Sequence, residues 1–150
     1  MEVRIRAAER KDAGAVLDAL EWLFAPPGAR PDDWDPERAR KALDEAISSP
    51  DALVLLAELE DGLLVGYCTV YHGPHTIRFG MRAWLEELAV HPDRRSAGIG
   101  ARLLDAARAW ARQRGASHLK LDSALPRTEA HRFYERQRPS GRSYSFAWRL

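Results

Sequence analysis

Apolar positions along this chain follow two periods, and the switches between them predict its elements. Val3-Arg4-Ile5-Arg6 alternates apolar and basic, which suits a half-exposed first strand. From Asp12, an N-cap residue type, Ala15, Val16, Ala19, Leu20 and Leu23 recur at helical spacing, with Trp22 and Phe24 leading out of the helix. The run Ala25-Pro26-Pro27-Gly28-Ala29-Arg30-Pro31 then breaks regular structure. Asp35-Pro36 reads as N-cap and first residue of a second helix, with Ala39, Ala42, Leu43, Ala46 and Ile47 on its apolar side. Residues 52–59 are apolar almost throughout, as in a strand buried on both faces. The Glu60-Asp61-Gly62 turn folds that strand back onto a partner over 64–71. His72-Gly73-Pro74-His75 is turn-rich and leads through 76–79 to the next strand, 83–90.

That strand ends at His91-Pro92-Asp93, because proline cannot extend a sheet ladder and restricts the residue before it. Beyond the basic, small-residue turn 94–100, Ile99, Leu103, Ala107 and Trp110 step along a helix, with Leu104, Ala106 and Ala111 widening its apolar stripe. Gly115 stands at the C′ position. Residues 117–122 form a short strand, parallel to 83–90 through a right-handed crossover. A helix over 130–136 follows, and the alternation from Ser143 to Leu150 predicts a terminal strand. The order β-α-α-β-β-β-α-β-α-β describes one domain over 1–150, of α/β (α+β) class, with a mixed sheet and helices on both faces.

Charge narrows the function classes. There are 23 basic and 22 acidic residues, for a formal net charge of +1, so this is no polyanion-coating protein and no nucleic-acid partner is expected. No apolar run is long enough for a membrane helix, and charges from Glu2 onward leave no signal peptide. Cys68 is the single cysteine, suited to a core position; with no internal disulfide available, a reducing cytoplasm is expected. His72, His75 and His91 lack the supporting ligand spacing of a metal site, so no metal is expected.

The chemistry concentrates between Trp84 and Gly115. A helix N-terminus carries unpaired amides and partial positive charge. Glycines at 98 and 100 admit a ligand to the backbone, and Arg94 and Arg95 add fixed charge, which together suit a phosphate or pyrophosphate. A nucleotide P-loop needs Gly-Lys-Ser/Thr, but Gly100 is followed by Ala101-Arg102. A dinucleotide fingerprint needs a third small residue where Leu103 stands, although Asp122 sits near the distance of a ribose-binding acid. The Arg-x-x-Gly-x-Gly of Arg95 to Gly100, preceded by Leu88-Ala89-Val90-His91-Pro92, closely resembles the acetyl-CoA motif of the GNAT family of N-acetyltransferases. His131-Arg132-Phe133-Tyr134-Glu135-Arg136 resembles the family's F-Y-E segment, and the predicted element order is also that of its fold.

The resemblance implies an acetyl-CoA-dependent N-acetyltransferase that acts by direct transfer within a ternary complex, on a small-molecule or peptide amine. Leu88, Ala89 and Val90 would lie along the pantetheine arm. Arg94, Arg95, Ser96, Ala97, Gly98, Ile99, Gly100 and Ala101 would hold the pyrophosphate. Tyr134 would protonate the departing thiolate. Glu86 or Glu87 would serve as base, the resemblance favouring Glu86; strand alternation alone does not choose, since a bulge reverses parity. Trp22, Phe24 and Trp34 bracket the region that would form one acceptor wall. Two departures stand out. Ser96-Ala97 replaces the usual Gly-Lys or Gly-Arg, and Arg136-Gln137-Arg138-Pro139 replaces Leu-Gly-Phe, which puts the sixth strand in question. If that strand forms, its edge offers a homodimer contact. The alternatives are a non-catalytic acyl-CoA-binding sensor or subunit, and a dinucleotide-binding domain.

Overall fold

The computed structural model describes residues 2–150, and five strands form one sheet in the order β1-β2-β3-β4-β5. They are β1 (Val3–Ala7), β2 (Ala52–Leu59), β3 (Leu64–Thr76), β4 (Gly80–Val90) and β5 (His118–Lys120). The first four pair antiparallel, and β5 joins β4 in parallel. The helices are α1 (Ala13–Ala19), α2 (Glu21–Phe24), α3 (Pro36–Ser48), α4 (Ile99–Gln113) and α5 (Thr128–Arg136).

The unbroken apolar run of β2 is explained by a core on each side of the sheet. Leu55, Ala57 and Leu59 meet Ile99, Leu103, Leu104, Ala107 and Ala111 of α4. Val54 and Leu56, on the other face, meet Ala13, Val16 and Ala19 of α1 and Leu43 and Ala46 of α3. Gly66 lets α4 lie close: a Cβ there would come within 3.1 Å of both Ile99 and Leu103. Cys68 is fully buried on the α4 side, and burial pushes its thiol up, which makes it inert packing.

Local chemistry sets the helix starts. Asp35 caps α3, accepting from the amides of Glu37 at 3.0 Å and Arg38 at 3.3 Å, with Pro36 at N1. Asp12 precedes α1, but its carboxylate accepts from both terminal nitrogens of Arg6, at 2.8 and 2.9 Å, and from the Glu9 amide at 2.7 Å. Arg6 also donates to Glu58, which further bonds Arg4.

Four expectations are corrected here. The first helix is divided, since α1 stops at Ala19 and α2 occupies Glu21–Phe24. The turn-rich segment His72–His75 lies inside β3, absorbed as a register shift between His72↔Ala83 and His75↔Met81, and the hairpin turns at 77–79 instead. β5 spans three residues rather than 117–122. The terminal strand does not form: residues 143–150 are irregular, with Tyr144, Phe146, Trp148 and Leu150 exposed. A period-2 pattern makes a strand only where an edge receives it, and β5 offers three residues.

Candidate functional site

The parallel pairing of β4 with β5 runs only from Arg82↔His118 to Trp84↔Lys120, so β4 continues to Val90 with its outer edge free of any strand. The His91 amide donates to Val65 on the β3 side at 2.8 Å. By strand alternation the peptide groups of Leu88 and Val90 therefore point to the open side. The Val90 carbonyl is met there by Arg95 Nε at 3.3 Å.

After β4 the chain makes a single 3-10 turn over Pro92–Arg94, fixed by His91 Nδ1 accepting from the Asp93 amide at 3.1 Å. Ser96 (φ 65°) and Gly98 (φ 80°) then take left-handed backbone, curling the turn into the first residues of α4. The first helical bond runs from Arg102 to Gly98 at 3.1 Å. Among the described residues, the amides of 95–101 meet no acceptor. They form a concave row of donors at a helix start, the geometry that holds a phosphate. Ser96, Ala97 and Gly98 are exposed. Gly100 faces inward instead: a Cβ there would stand 3.2 Å from Phe133 and 3.8 Å from Val90.

Phe133, which meets Gly100, also packs against its neighbour Tyr134 on α5, ring centroids 5.1 Å apart. Burial pushes Tyr134 up to about 12, with a smaller contribution from Cys68 and opposition from Arg127. Its hydroxyl keeps its proton at neutral pH and is available as an acid.

On the opposite face of the sheet a cleft of about 350 Å³ lies between β3–β4 and the α1–α3 layer. Glu87 lines it. The Thr69 hydroxyl donates to the Glu87 carboxylate and accepts from its amide at 3.1 Å. Burial raises the Glu87 carboxyl above its ordinary value, Thr69 opposes this, and the Glu86 charge adds to it. A carboxylate so placed is tuned towards proton acceptance nearer neutrality. Glu86 stands outside, exposed and accepting from the Trp84 indole at 2.6 Å. The separation arises from a bulge: β3 pairs Val70 with Leu85 and Thr69 with Glu87, leaving Glu86 as the extra residue.

Four further polar residues, Tyr67, Thr69, Tyr71 and Arg127, line this cleft without having been singled out from the sequence. Thr69 had a readable signal, a polar residue within the buried run Val65–Val70. Tyr67 is 1% exposed, with a hydroxyl that has no partner among the described residues. Arg127, before α5, donates to the Leu23 carbonyl at 2.7 Å, and nothing in its sequence context marks it. Phe24 and Trp34 stand edge to face at 4.9 Å in the cleft wall, whereas Trp22 packs on His91 at 5.2 Å. A second depression of about 720 Å³ beside Arg4, Glu58 and Arg102 shares none of these residues. Among the described residues no group of three His, Cys, Asp or Glu side chains is disposed to hold a metal, and no helix is long and apolar enough to cross a membrane.

Comparison with known proteins shows the family and the fold. The family model described as acetyltransferase (GNAT) family matches residues 16–138. The aminoglycoside N(6')-acetyltransferase type 1 of Stenotrophomonas maltophilia is 31% identical over 120 residues, covering 76% of this chain and 74% of the relative. The uncharacterized N-acetyltransferase YhdJ of Bacillus subtilis is 34% identical over 90 residues, 60% of this chain and 63% of its own length. Among solved structures, AAC(6')-Iy in complex with a bisubstrate analogue, CoA-S-monomethyl-acetylneamine, superimposes with a TM-score of 0.80 at 15% identity, covering 100% of both chains.

Proposed function

The chain belongs to the acetyltransferase (GNAT) family, and from that premise we propose that it transfers the acetyl group of acetyl-CoA to a primary amine within a ternary complex. The observation that carries this reading is the opening beside the free edge of β4. The phosphate-type amide row of 95–101 meets Phe133 through Gly100, Phe133 carries Tyr134, and Arg127 links that side to the cleft holding Glu87. Residues 1–150 act as one catalytic domain.

Acetyl-CoA supplies the activated thioester. The amides of Arg95, Ser96, Ala97, Gly98, Ile99, Gly100 and Ala101 hold its pyrophosphate, with Arg94 contributing charge. Leu88 and Val90 offer outward peptide groups to the pantetheine arm, with Ala89 between them, and the Leu88 amide is placed to stabilise the oxyanion. Glu87 takes one proton from the bound ammonium and passes it to solvent, leaving a neutral amine lone pair. Attack on the thioester carbonyl forms the C–N bond, and the C–S bond then breaks towards sulfur. Tyr134 gives its phenolic proton to the thiolate, and the tyrosinate recovers a proton from the nitrogen of the addition product. The net result is an amide, a free thiol and one proton released. No covalent enzyme intermediate enters, which agrees with a buried, inert Cys68. Between the two glutamates, burial in the cleft favours Glu87 as the base, with Glu86 exposed at the rim.

The test is thiol release from acetyl-CoA across a panel of amines, with Tyr134→Phe in parallel. We expect acceptor-dependent release that falls at least tenfold in the variant while acetyl-CoA affinity is unchanged. Unchanged turnover removes Tyr134 from the acid role. Acetyl-CoA binding without release to any amine would favour the non-catalytic sensor.

A further inference from the structure

We propose that the acceptor is a compact, singly charged arylalkyl- or cycloalkylalkylamine, rather than an amino sugar or polyamine. This deepens the acetyltransferase reading and rests on it. The cleft that holds Glu87 has hydrocarbon walls: Leu17, Leu20 and Leu23 on one side, Leu43 on another, and the Phe24–Trp34 pair closing it. Edge-to-face aromatics of this kind favour a flat or cyclic apolar body. Among the residues lining the cleft, Glu87 is the single carboxylate and Arg127 the single cation. Arg127 is already engaged by the Leu23 carbonyl. A ligand with several ammonium groups would bury charges that meet no partner, and burying an unpaired charge is costly. One ammonium, facing Glu87, is what the cleft can match.

The polar floor makes the same point. Tyr67 is 1% exposed, lines the cleft, and its hydroxyl has no partner among the described residues. An unsatisfied buried hydroxyl destabilises the free protein, and a ligand group that pairs with it recovers that cost. Tyr67 on β3 and Glu87 on β4 line the same cleft, so its sheet side presents both a hydroxyl and a carboxylate to a ligand nitrogen. Apart from Arg127, the polar lining groups (Tyr67, Thr69, Tyr71 and Glu87) all come from the sheet, and the helices and loop opposite supply hydrocarbon and aromatic surface, which describes an amine on an apolar stem. At about 350 Å³ the space suits one ring with a short stem and lies at the small end of ligand sites.

The experiment measures calorimetric binding to the free protein and thiol release with acetyl-CoA, using 2-phenylethylamine, cyclohexylmethylamine, spermidine and kanamycin as probes. The expected result is saturable binding of the two ring amines and a kcat/KM at least tenfold above that of either polycation. Trp34→Ala, on the loop wall, weakens ring-amine binding about tenfold and leaves acetyl-CoA affinity unchanged; Tyr67→Phe lowers ring-amine affinity with the apolar contacts kept. Turnover of kanamycin or spermidine in preference to the ring amines overturns the acceptor class and leaves the acetyltransferase reading standing. Ring-amine binding sensitive to Trp34→Ala, with no thiol release from any amine, upholds the cleft's ligand class and overturns acetyl transfer. Absence of ring-amine binding and turnover alike overturns the proposal.

Discussion

Alanine at Gly98 and at Gly100, introduced one at a time, separates two constraints that share one motif. Gly98 caps α4 at φ 80° and ψ 2°, and a Cβ there would meet nothing within 4 Å. The cost is therefore conformational alone, about 1–2 kcal/mol for an L-residue held left-handed. For a chain of this size that lowers Tm by roughly 2–8 °C. Gly100 has ordinary helical backbone, so alanine gains up to about 1 kcal/mol of helix propensity. Its Cβ, however, would stand 3.2 and 3.3 Å from two atoms of the Phe133 ring, which must give by a few tenths of an ångström. The two effects oppose, and the net stability should change by less than about 1 kcal/mol. Displacing Phe133 disturbs its neighbour Tyr134 and the floor of the amide row. Gly100→Ala should accordingly weaken acetyl-CoA binding about tenfold, or 1.4 kcal/mol. Thermal melts and acetyl-CoA calorimetry on both variants read this out. A Gly98→Ala protein that melts with the parent, or a Gly100→Ala protein with full affinity and turnover, would refute the division of roles.

Glu87→Gln should lower kcat/KM by roughly 10²–10⁴-fold, the usual worth of a general base. The same variant should melt higher than the parent near neutral pH. Burial raises the Glu87 carboxyl above 4.5, so charging it costs the folded state. That cost is absent below the unfolded value and complete above the folded one, and the variant's advantage should fade as pH falls towards 4.5 in melts run across this range. Asp12 behaves oppositely: hydrogen bonding to Arg6 holds it down at about 2, so its contribution is full above 3.8 and lost as pH falls towards 2. Arg6→Met should flatten that acid dependence in denaturant titrations and cost roughly 2–3 kcal/mol, below the usual range for a broken buried pair because Arg6 remains 23% exposed.

The helix after the glycine turn was legible because it is long, strongly periodic and bounded by glycines. The double-sided burial of β2 was legible from its composition. What escaped depends on partners distant in the chain. Glu86 and Glu87 are chemically identical neighbours, and only the register against Thr69 and Val70 sends one into the cleft and the other to the rim. The path of β3 through Gly73-Pro74 is likewise decided by β4, which accommodates the irregularity between Ala83 and Met81. Residues 143–150 show the converse, a local pattern without an edge long enough to pair it. Arg127 enters the cleft through the Leu23 carbonyl, a contact across 104 positions of chain.

The strand order has a consequence for how the protein acquires its site. β2, β3 and β4 neighbour one another in sequence as in space, joined by the short turns at 60–63 and 77–79. Closing such turns costs little chain entropy, so this meander forms early. β1 must return across α1–α3, and β5 must wait for α4 to pack, since a parallel partner needs its crossover. The opening beside β4 therefore acquires its second wall at the end of folding, after the strand that carries Glu87 is already in register. Pulse-labelled hydrogen exchange should protect β2–β4 amides before those of β5, and simultaneous protection would contradict this order.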